Sequence, residues 1–452
     1  MAESRHLDVN TFLDDRPMGR RQWLIVFLGI LILILDGFDT TMMGFIAPAL
    51  IEDWGVAKQD LGPLMMSGLV GLSIGSLVAG PLADRFGRKT VIITSVLFFG
   101  LWSLLSALAN DLTMLTFLRF MTGVGLGASM PNTSTLVAEF APKKRRSHLV
   151  TSAYCGFAFG GALGGLASEH LIELFGWRSV FVAGGVLPVA LAVVLLFCLP
   201  ESIRFMVVAG KAKARIVQAV NAVVPGLANA ETRFFNSEAG AESGSEVQAK
   251  SGVRGLFSRQ YRLGTFMIWI AMFMGLLTIY LLGNWLPLIA RSAGLSLQEA
   301  AIVGAMLQLG GVVGNFTMGM KMDRWDKNGV LSLTMGGSAL FALLIANVGH
   351  SAWSLTLLVL LMGYFVNAVN TGCYALATHF YPTQMRATGV SWVSGIGRLG
   401  AIVGAGFGAV IMGLNWGLSD VFMFLCFPPL IGIAAIQLKR VWEQRSGRAV
   451  PA

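Results

Sequence analysis

Two carboxylates lie in the middle of the first long apolar segment of the chain, at Asp36 and Asp39. Three residues apart, they share one face of a helix. Asp36 follows the start of the apolar run at Gln22 by about 14 residues, which at about 1.5 Å per residue is roughly 20 Å into a hydrocarbon layer of about 30 Å. Because an ionised side chain there costs at least about 2.5–3.5 kcal/mol, the pair predicts a site for protons, ions or substrate.

A cation at a similar depth is available to these acids. Arg119 lies about eight residues past Asp111 in the fourth apolar segment, roughly 10 Å below the surface. We predict that Arg119 pairs with one carboxylate and leaves the other able to take a proton, so that Asp36, Asp39 and Arg119 form a proton-coupling set. We expect Asp39, nearer the outer face, to exchange its proton more readily. The structural alternative is a fixed ion pair that only joins the two segments.

Arg398 lies about ten residues into the eleventh apolar segment, near the midplane, without an acid in its own segment. The guanidinium fork suits a carboxylate, which it can bind through two hydrogen bonds. We therefore predict that Arg398 holds a substrate carboxylate, the alternative being a partner among backbone carbonyls or on the seventh or tenth segment. Polar groups and flat apolar walls complete the predicted substrate site: Tyr280, Asn284, Asn367, Asn370, Tyr374, Phe38, Trp285 and Trp392.

Other chemistries lack their residues. The sequence has no H-E-x-x-H or P-loop pattern, and its G-x-S-x-G match at 71–75 lies inside the second apolar segment, so we predict that the protein is not an enzyme. Its five histidines are scattered near the ends of the apolar segments, and its four cysteines lie far apart within them. We expect reduced, packed thiols and no bound metal or cofactor.

Composition and hydropathy predict the elements that position these groups. The 452 residues are 55% hydrophobic and 13% charged, with 55 glycines, which is typical of many helices packed in lipid. We predict an all-α membrane protein, because twelve apolar segments are long enough to span a bilayer: 23–49, 62–82, 91–110, 113–137, 149–174, 178–199, 262–289, 298–319, 330–349, 353–377, 389–413 and 419–438.

The distribution of positive charge predicts the orientation. Apart from Arg119 and Arg398, only Lys58, Arg178 and Arg291 among the 33 Lys and Arg lie outside the termini and the even-numbered loops. This positive-inside bias places both termini in the cytoplasm and explains the net charge of +9 without nucleic acid. No cleavable signal peptide is evident. We expect residues 1–22 and 440–452 to be cytoplasmic tails.

An internal repeat divides the chain into two halves. We predict two pseudo-symmetric six-helix bundles, 23–199 and 261–439, joined by a cytoplasmic linker at 200–260. Within the linker, 209–224 is expected to include an amphipathic helix and 236–252 to be flexible. Further glycines at 156, 160 and 164, repeated at 400, 404 and 408, predict close packing where the halves meet. The repeat itself has an offset of 239 residues: Gly71, Gly75, Gly80, Asp84 and Arg85 recur as Gly310, Gly314, Gly319, Asp323 and Arg324.

Several motifs resemble those of a known transporter superfamily. The stretch G-P-L-A-D-R-F-G-R-K at 80–89 resembles the loop signature of the major facilitator superfamily, and Arg119 with Gly123 and Gly125 matches a second of its patterns. More narrowly, D-G-F-D at 36–39, the segments 43–50 and 127–132, and F-Y-P-T-Q-M-R-A-T-G at 380–389 are similar to the aromatic acid:proton symporter family, including its bacterial 4-hydroxybenzoate/protocatechuate transporters.

The resemblance implies proton-driven import of aromatic carboxylates across the bacterial inner membrane, for aromatic catabolism, by a chain that works as a monomer in the lipid bilayer. It also implies that Asp84 caps a neighbouring helix and that charge pairs close the cytoplasmic side. In the second copy of the motif, Trp325 and Asp326 replace the Phe-Gly pair. The implied cytoplasmic gate consists of Gly80, Asp84, Arg85, Gly87, Arg88, Glu139, Arg146, Asp323, Arg324 and Arg386.

Two other functions fit the same residues. The protein could import a different organic anion, such as a sugar acid or an aliphatic dicarboxylate. Alternatively, it could be a transporter-like sensor that binds aromatic acids without net flux. Residues alone, without the resemblance, predict only a secondary transporter.

Overall fold

The prediction of twelve spans is confirmed. The computed structural model describes residues 6–9, 11–14, 16–229, 231–235, 254–348 and 351–445. Within these ranges twelve helical segments are long and apolar enough to cross a membrane. The first half holds the six spanning helices α1 to α6, which are followed by two short helices, α7 and α8. Their bounds are Arg20–Trp54, Gly62–Phe86, Arg88–Ser106, Leu112–Phe140, Lys143–Phe175, Arg178–Cys198, Ile203–Val208 and Lys213–Val223.

The second half repeats the arrangement with helices α9 to α15. Its last span is built from two helices, α14 and α15, because Pro428 and Pro429 follow the break and lack the N–H groups that a continuous helix needs. The bounds of α9 to α15 are Arg262–Ser292, Leu297–Arg324, Lys327–Val348, Ala352–Phe380, Thr383–Gly413, Leu418–Phe424 and Phe427–Arg445.

Local sequence explains where several helices begin and end. Asp111 caps α4, its carboxylate accepting from the Met114 N–H at 2.8 Å. Ser296 caps α10, and the Glu299 side chain accepts from the Ser296 N–H in return. Gly55 ends α1 in the left-handed conformation, at a φ of 62°, which a glycine adopts without strain.

The two halves pack their helices in the same way. In the first half α2 packs along α4 and α1 along α5, and in the second half α10 packs along α12 and α9 along α13. Across the halves, α5 contacts α10, α2 contacts α13, and α1 contacts α9. We call the side on which α1 begins at Arg20 the terminal side, and the side on which it ends at Trp54 the far side.

The repeated glycines allow the closest approaches within each half. A Cβ at Gly75 would lie 2.0 Å from the Val124 carbonyl oxygen, and one at the equivalent Gly314 would lie 2.1 Å from that of Tyr364. Gly160 approaches Ile34 in the same way. The prediction that two glycine sets pack where the halves meet is therefore wrong for Gly156, Gly160, Gly164, Gly400, Gly404 and Gly408. They press α5 onto α1 and α13 onto α9 inside each half.

The tail before α1 and the segment after α6 are packed structure on the terminal side. Strand β1, His6–Asp8, pairs in parallel with β2, Arg233–Phe235. Helix α8 lies inside the stretch predicted to be amphipathic and buries Ile216, Val220 and Val223 in a cluster with apolar residues of the first half. Residues 203–235 thus belong structurally to the first half, apart from 230, which is not described. The predicted flexible stretch 236–252 lies outside the described residues, as do 1–5 and 446–452 of the predicted tails.

Candidate functional site

Arg119 on α4 binds Asp39 on α1 through both carboxylate oxygens. The Nη2–Oδ2 and Nη1–Oδ1 distances are 2.7 and 3.1 Å, and Nη2 also donates to the Asp39 carbonyl oxygen at 3.1 Å. Ser103 on α3 donates a further hydrogen bond to Asp39 Oδ1 at 3.1 Å. Because both charged side chains are buried, this bidentate pair neutralises Asp39 and joins α1 to α4.

Asp36 is equally buried, at 1% exposure, and is held by hydroxyl groups alone. Ser129 on α4 donates to Asp36 Oδ2 at 2.8 Å, and Thr40 lies at the 3.5 Å limit of a hydrogen bond to Oδ1. Among the described residues, no cationic nitrogen lies within 4.0 Å of this carboxylate. An ionised Asp36 therefore has no cation to compensate its charge among the described residues, whereas Asp39 has Arg119.

The position of both acids depends on how closely α1 meets α5. A Cβ at Gly37 would lie 1.9 Å from the Phe157 carbonyl oxygen, so no other residue fits between the two backbones. This contact lies beside Asp36 and fixes the rotation of α1 about its axis. As a result both acids turn toward α4, where Ser129 contacts Asp36 and Arg119 contacts Asp39.

Arg398 on α13 is half-buried and has no partner among the described residues. No described carboxylate lies within 4.0 Å of it, and its nitrogens make no hydrogen bond to the described part of the chain. Tyr280 on α9 is within electrostatic range of both Arg398 and Asp36. Tyr374 on α12 interacts with Arg398 as well as with Tyr154 of α5 in the other half. Tyr280 is thus within electrostatic range of a cation and of an acid that both lack an ion-pair partner among the described residues.

The predicted amides and hydroxyls differ in whether their hydrogen-bonding atoms already have partners. The side-chain amides of Asn284 and Asn367 donate to carbonyl oxygens of their own helices, at 2.8 and 3.1 Å. Tyr374 donates to Ser394 Oγ at 3.1 Å. Asn370 Oδ1 is buried and accepts no hydrogen bond from the described residues. Asn370 is accordingly the amide with an open acceptor.

The three aromatic residues predicted as walls of the substrate site make contacts within their own halves. Trp285 is fully buried and donates to the Ala405 carbonyl oxygen at 2.7 Å, which makes it a contact between α9 and α13. Phe38 is buried among helices of the first half, against Gly164 and Gly184. Trp392 is 40% exposed and stacks on Trp269 at 5.5 Å. These contacts all lie within one half, so the site proposed below does not use the three rings.

A small pocket lies between the halves, beside Thr40, which follows Asp39 on α1. Thr40, Arg119 and Leu126 border it from the first half and Asn284 borders it from the second. Arg119 Nε, which is buried and makes no hydrogen bond within the described residues, adds a free donor there. The acids of α1 therefore adjoin a space that is shared by both halves.

On the far side, side chains connect the two halves. Arg291 at the end of α9 pairs with Glu52 of α1 at 3.3 Å, and Lys58 donates to Ser292 Oγ at 2.8 Å. Gly44 also meets the α9 backbone, where a Cβ would lie 2.7 Å from the Gly283 carbonyl oxygen. These contacts close the far side of the central space.

On the terminal side, the described ion pairs stay within one half. Arg88 binds Asp84 at 2.7 Å and Glu139 at 3.5 Å, while Arg440 binds Asp326 at 3.2 Å. The remaining predicted gate residues lie at this side without a described ion pair between the halves: Gly80, Arg85, Gly87, Arg146, Asp323, Arg324 and Arg386.

The cap of α3 differs from the one that the resemblance implied. The Asp84 side chain is 72% exposed and caps no helix. Instead Glu201, which follows α6, accepts from the Lys89 N–H at 3.1 Å, and Gly87 with its φ of 97° leaves room for that carboxylate. In the second half Asp326 does the equivalent work, accepting from the Gly329 N–H at 2.9 Å. The replaced Phe-Gly pair is thus compensated by a carboxylate on the loop itself.

Sequence reasoning missed Ser129, Tyr154 and Glu201. Serines and tyrosines are common in membrane helices, so their type alone does not separate a site from a helix contact. Ser129 stands 93 residues from Asp36 in the chain, and only the packing of α4 on α1 reveals the contact.

Across the described residues, no group of three His, Cys, Asp or Glu side chains is arranged to hold a metal ion. All four cysteines are free thiols. The chemistry of the central space therefore depends on two carboxylates, two guanidinium groups and the hydroxyls and amides around them.

Comparisons with known proteins agree with this architecture. The family profile described as Major Facilitator Superfamily matches residues 28–346 and 268–450. The fold is similar to the inward open conformation of the xylose transporter XylE from Escherichia coli, with a TM-score of 0.71 over 93% of this chain and 96% of that one, at 16% identity.

Two curated relatives match nearly the whole length. The 4-hydroxybenzoate transporter PcaK of Pseudomonas aeruginosa is 45% identical over 433 residues, which are 96% of each chain. The gallate transporter of Pseudomonas putida is 44% identical over 449 residues, 99% of this chain and 98% of its own. With its twelve membrane helices in two similar halves, the chain belongs to the Major Facilitator Superfamily, in the same family as these transporters, and is not an enzyme.

Proposed function

We propose that this protein imports hydroxylated aromatic carboxylates together with protons, by alternating access of a central site. The observation that carries the proposal is that, among the described residues, Asp36 has no cation and Arg398 has no anion as partner, while Tyr280 is within electrostatic range of both. Curated relatives with 44–45% identity are named as transporters of 4-hydroxybenzoate and gallate, which supports this substrate class.

The positive-inside bias supports an orientation with both termini in the cytoplasm of a bacterial cell, within the inner membrane. The terminal side is then the cytoplasmic side. The contacts of Glu52 with Arg291 and of Lys58 with Ser292 on the far side support an assignment of this conformation to the state that releases substrate inward.

We assign the exchangeable proton to Asp36 rather than to Asp39. The sequence favoured Asp39 because of its depth, but Arg119 binds both oxygens of Asp39 and leaves neither of them free of a cation. Asp36 has hydroxyl partners that can serve either protonation state. Arg119 and Asp39 therefore act as the structural pin that the sequence left as an alternative.

Arg398 is the proposed anchor for the substrate carboxylate. A guanidinium that is half-buried and unpaired gains two charge-assisted hydrogen bonds when a carboxylate docks on it. Tyr280 and Tyr374 flank the anchor, and the open acceptor at Asn370 Oδ1 suits a ring hydroxyl, which is a donor. Asn284 borders the space between the halves, whereas the Asn367 side chain packs against Gly311 of α10; both amides already donate to their own helices.

The proposed cycle follows from charge compensation. Facing outward, Asp36 takes a proton and Arg398 takes the carboxylate, so the loaded site carries no uncompensated charge and can cross the closed state. Facing inward, the proton leaves to the higher internal pH and the substrate follows. The exposed Asp84 and the basic residues of the terminal side then become available to pair across the halves, as the implied gate requires.

Substitution of Asp36 tests the proposal in proteoliposomes under an imposed pH gradient, alkaline inside. We expect Asp36→Asn to abolish accumulation of 4-hydroxybenzoate while counterflow of unlabelled for labelled substrate continues, because exchange needs no net proton movement. Asp53→Asn is the matched control on the same helix: Asp53 lies at the far end of α1, where it pairs with Arg178 and accepts a hydrogen bond from the Trp177 indole N–H. Accumulation by Asp36→Asn at the wild-type level would refute the assignment.

The same preparation separates the other functions. A sugar acid or an aliphatic dicarboxylate that displaces 4-hydroxybenzoate at lower concentration would identify a different organic anion as the substrate. Saturable binding of 4-hydroxybenzoate without either uptake or counterflow would identify a sensor.

A further inference from the structure

We propose that Ser129 is a positioning residue for proton coupling: its hydroxyl hydrogen switches between Asp36 and a backbone carbonyl and so sets the pH range in which Asp36 releases its proton. The inference rests on the proposed function, since it takes Asp36 as the site of the exchangeable proton. None of the sequence patterns assigned a role to this serine.

The geometry gives the Ser129 hydroxyl two acceptors. Its oxygen lies 2.8 Å from Asp36 Oδ2 and 3.2 Å from the Leu126 carbonyl oxygen, and the side chain is fully buried. A hydroxyl has one hydrogen, so it donates to one of these acceptors at a time. The choice depends on whether Asp36 carries a proton.

Each protonation state of Asp36 has a complete set of hydrogen bonds. When Asp36 is ionised, Ser129 donates to its Oδ2. When Asp36 is protonated, its own O–H donates to Ser129 Oγ, and the serine hydrogen turns to the Leu126 carbonyl oxygen. The proton enters and leaves at Asp36 alone. No other covalent bond is made or broken, and only the hydrogen bonds of Ser129 change.

Few other groups influence this carboxylate. The charged or titratable groups that interact with Asp36 are Asp39 on the same helix and Tyr280 on α9. Arg119 of α4, the cation that pairs with the neighbouring acid on α1, is occupied by Asp39. Thr40 is the only other hydroxyl among the described residues in contact with Asp36, at a longer 3.5 Å. Ser129 is therefore the strongest single stabiliser of the ionised form.

Ser103 provides a matched control. Like Ser129 it is a fully buried serine that donates to an acid of α1, with 3.1 Å between its Oγ and Asp39 Oδ1. Asp39, however, is bound by Arg119 through both carboxylate oxygens, and it keeps these two contacts when one hydroxyl is lost. Removing the Ser103 hydroxyl therefore leaves proton coupling at its wild-type pH.

The experiment measures binding of 4-hydroxybenzoate to purified protein by isothermal titration at pH values from about 5 to 9. Wild-type affinity falls as Asp36 loses its proton. In Ser129→Ala the ionised form loses a charge-assisted hydrogen bond, so we expect the midpoint of that fall to move to higher pH by about one pH unit or more. In Ser103→Ala the midpoint stays at the wild-type pH.

Asp36→Asn, measured in parallel, distinguishes failure of the inference from failure of the proposed function. If wild-type binding depends on pH and Asp36→Asn still shows the wild-type midpoint, Asp36 is not the proton site, and both proposals fall. If Asp36→Asn flattens the profile but Ser129→Ala keeps the wild-type midpoint, or Ser103→Ala shifts equally, the inference about Ser129 alone is overturned. Thermal unfolding in detergent verifies that each variant is folded.

Discussion

Replacement of Arg398 by alanine should remove the anchor for the substrate carboxylate and leave the fold intact. Arg398 makes no hydrogen bond and no ion pair to the described residues, so its loss leaves no group unpaired. The unfolding temperature in detergent should therefore match that of the wild type. The effect should be confined to ligands that carry a carboxylate.

The size of the effect follows from the environment of the guanidinium. A hydrogen bond to a charged group contributes about 1.5–3 kcal/mol when it is well shielded, and an exposed ion pair contributes about 1 kcal/mol or less. Because Arg398 is half-buried beside Tyr280 and Tyr374, we take about 2 kcal/mol for the pair. That corresponds to a loss of affinity of roughly 30-fold for 4-hydroxybenzoate.

The assay is a two-by-two comparison of protein and ligand by isothermal titration. The uncharged 4-hydroxybenzamide has the same ring and hydroxyl but lacks the negative charge. We expect the wild type to prefer the acid over the amide by roughly 30-fold, and Arg398→Ala to show a preference of about threefold or less. Arg178→Ala, which removes a surface arginine paired with Asp53 on the far side, serves as the control.

One result would refute the assignment of Arg398 without ambiguity. If Arg398→Ala weakens the acid and the amide by the same factor, the guanidinium shapes the site but does not bind the carboxylate. A fall in unfolding temperature of that variant alone would instead show a structural partner for Arg398.

Two further predictions concern the packing that holds the site. Asp39→Asn leaves the buried guanidinium of Arg119 uncompensated, so we expect the free energy of unfolding to fall by about 3 kcal/mol or more. Adding Arg119→Gln should restore part of this loss. Equal unfolding temperatures of the wild type and Asp39→Asn would contradict the prediction. Gly37→Ala places a Cβ 1.9 Å from the Phe157 carbonyl oxygen, and a large drop in unfolding temperature is expected, whereas Gly80→Ala, with nothing within 4 Å, should unfold as the wild type does.

The spans were predictable because hydropathy acts on each segment separately. A bilayer requires about 20 apolar residues in every crossing, and all twelve crossings satisfy that requirement in the sequence. The ends of the helices were less predictable. Helix α1 runs from Arg20 to Trp54, beyond the apolar stretch 23–49. Contacts of its polar ends stabilise the extra turns; for example, the Gln22 side chain donates a hydrogen bond to the Phe140 carbonyl oxygen.

The packed segment after α6 shows where composition misleads. Residues 203–235 are polar enough to predict a linker, yet α8 presents Ile216 and Val220 to the first half, and β2 pairs with a strand from the tail. A three-residue parallel pair between His6–Asp8 and Arg233–Phe235 leaves no periodic signal, since its partners are more than 200 residues apart.

The sequence by itself determined which residues are too polar for their depth: Asp36, Asp39, Arg119 and Arg398 stand out wherever the helices pack, because burying a charge in hydrocarbon is costly. Only the tertiary structure decided their partners. The rotation of α1, set by the contact of Gly37 with Phe157, gives Arg119 to Asp39 and Ser129 to Asp36. Partnership depends on ångström-scale register between helices some 80 residues apart, which no local pattern encodes.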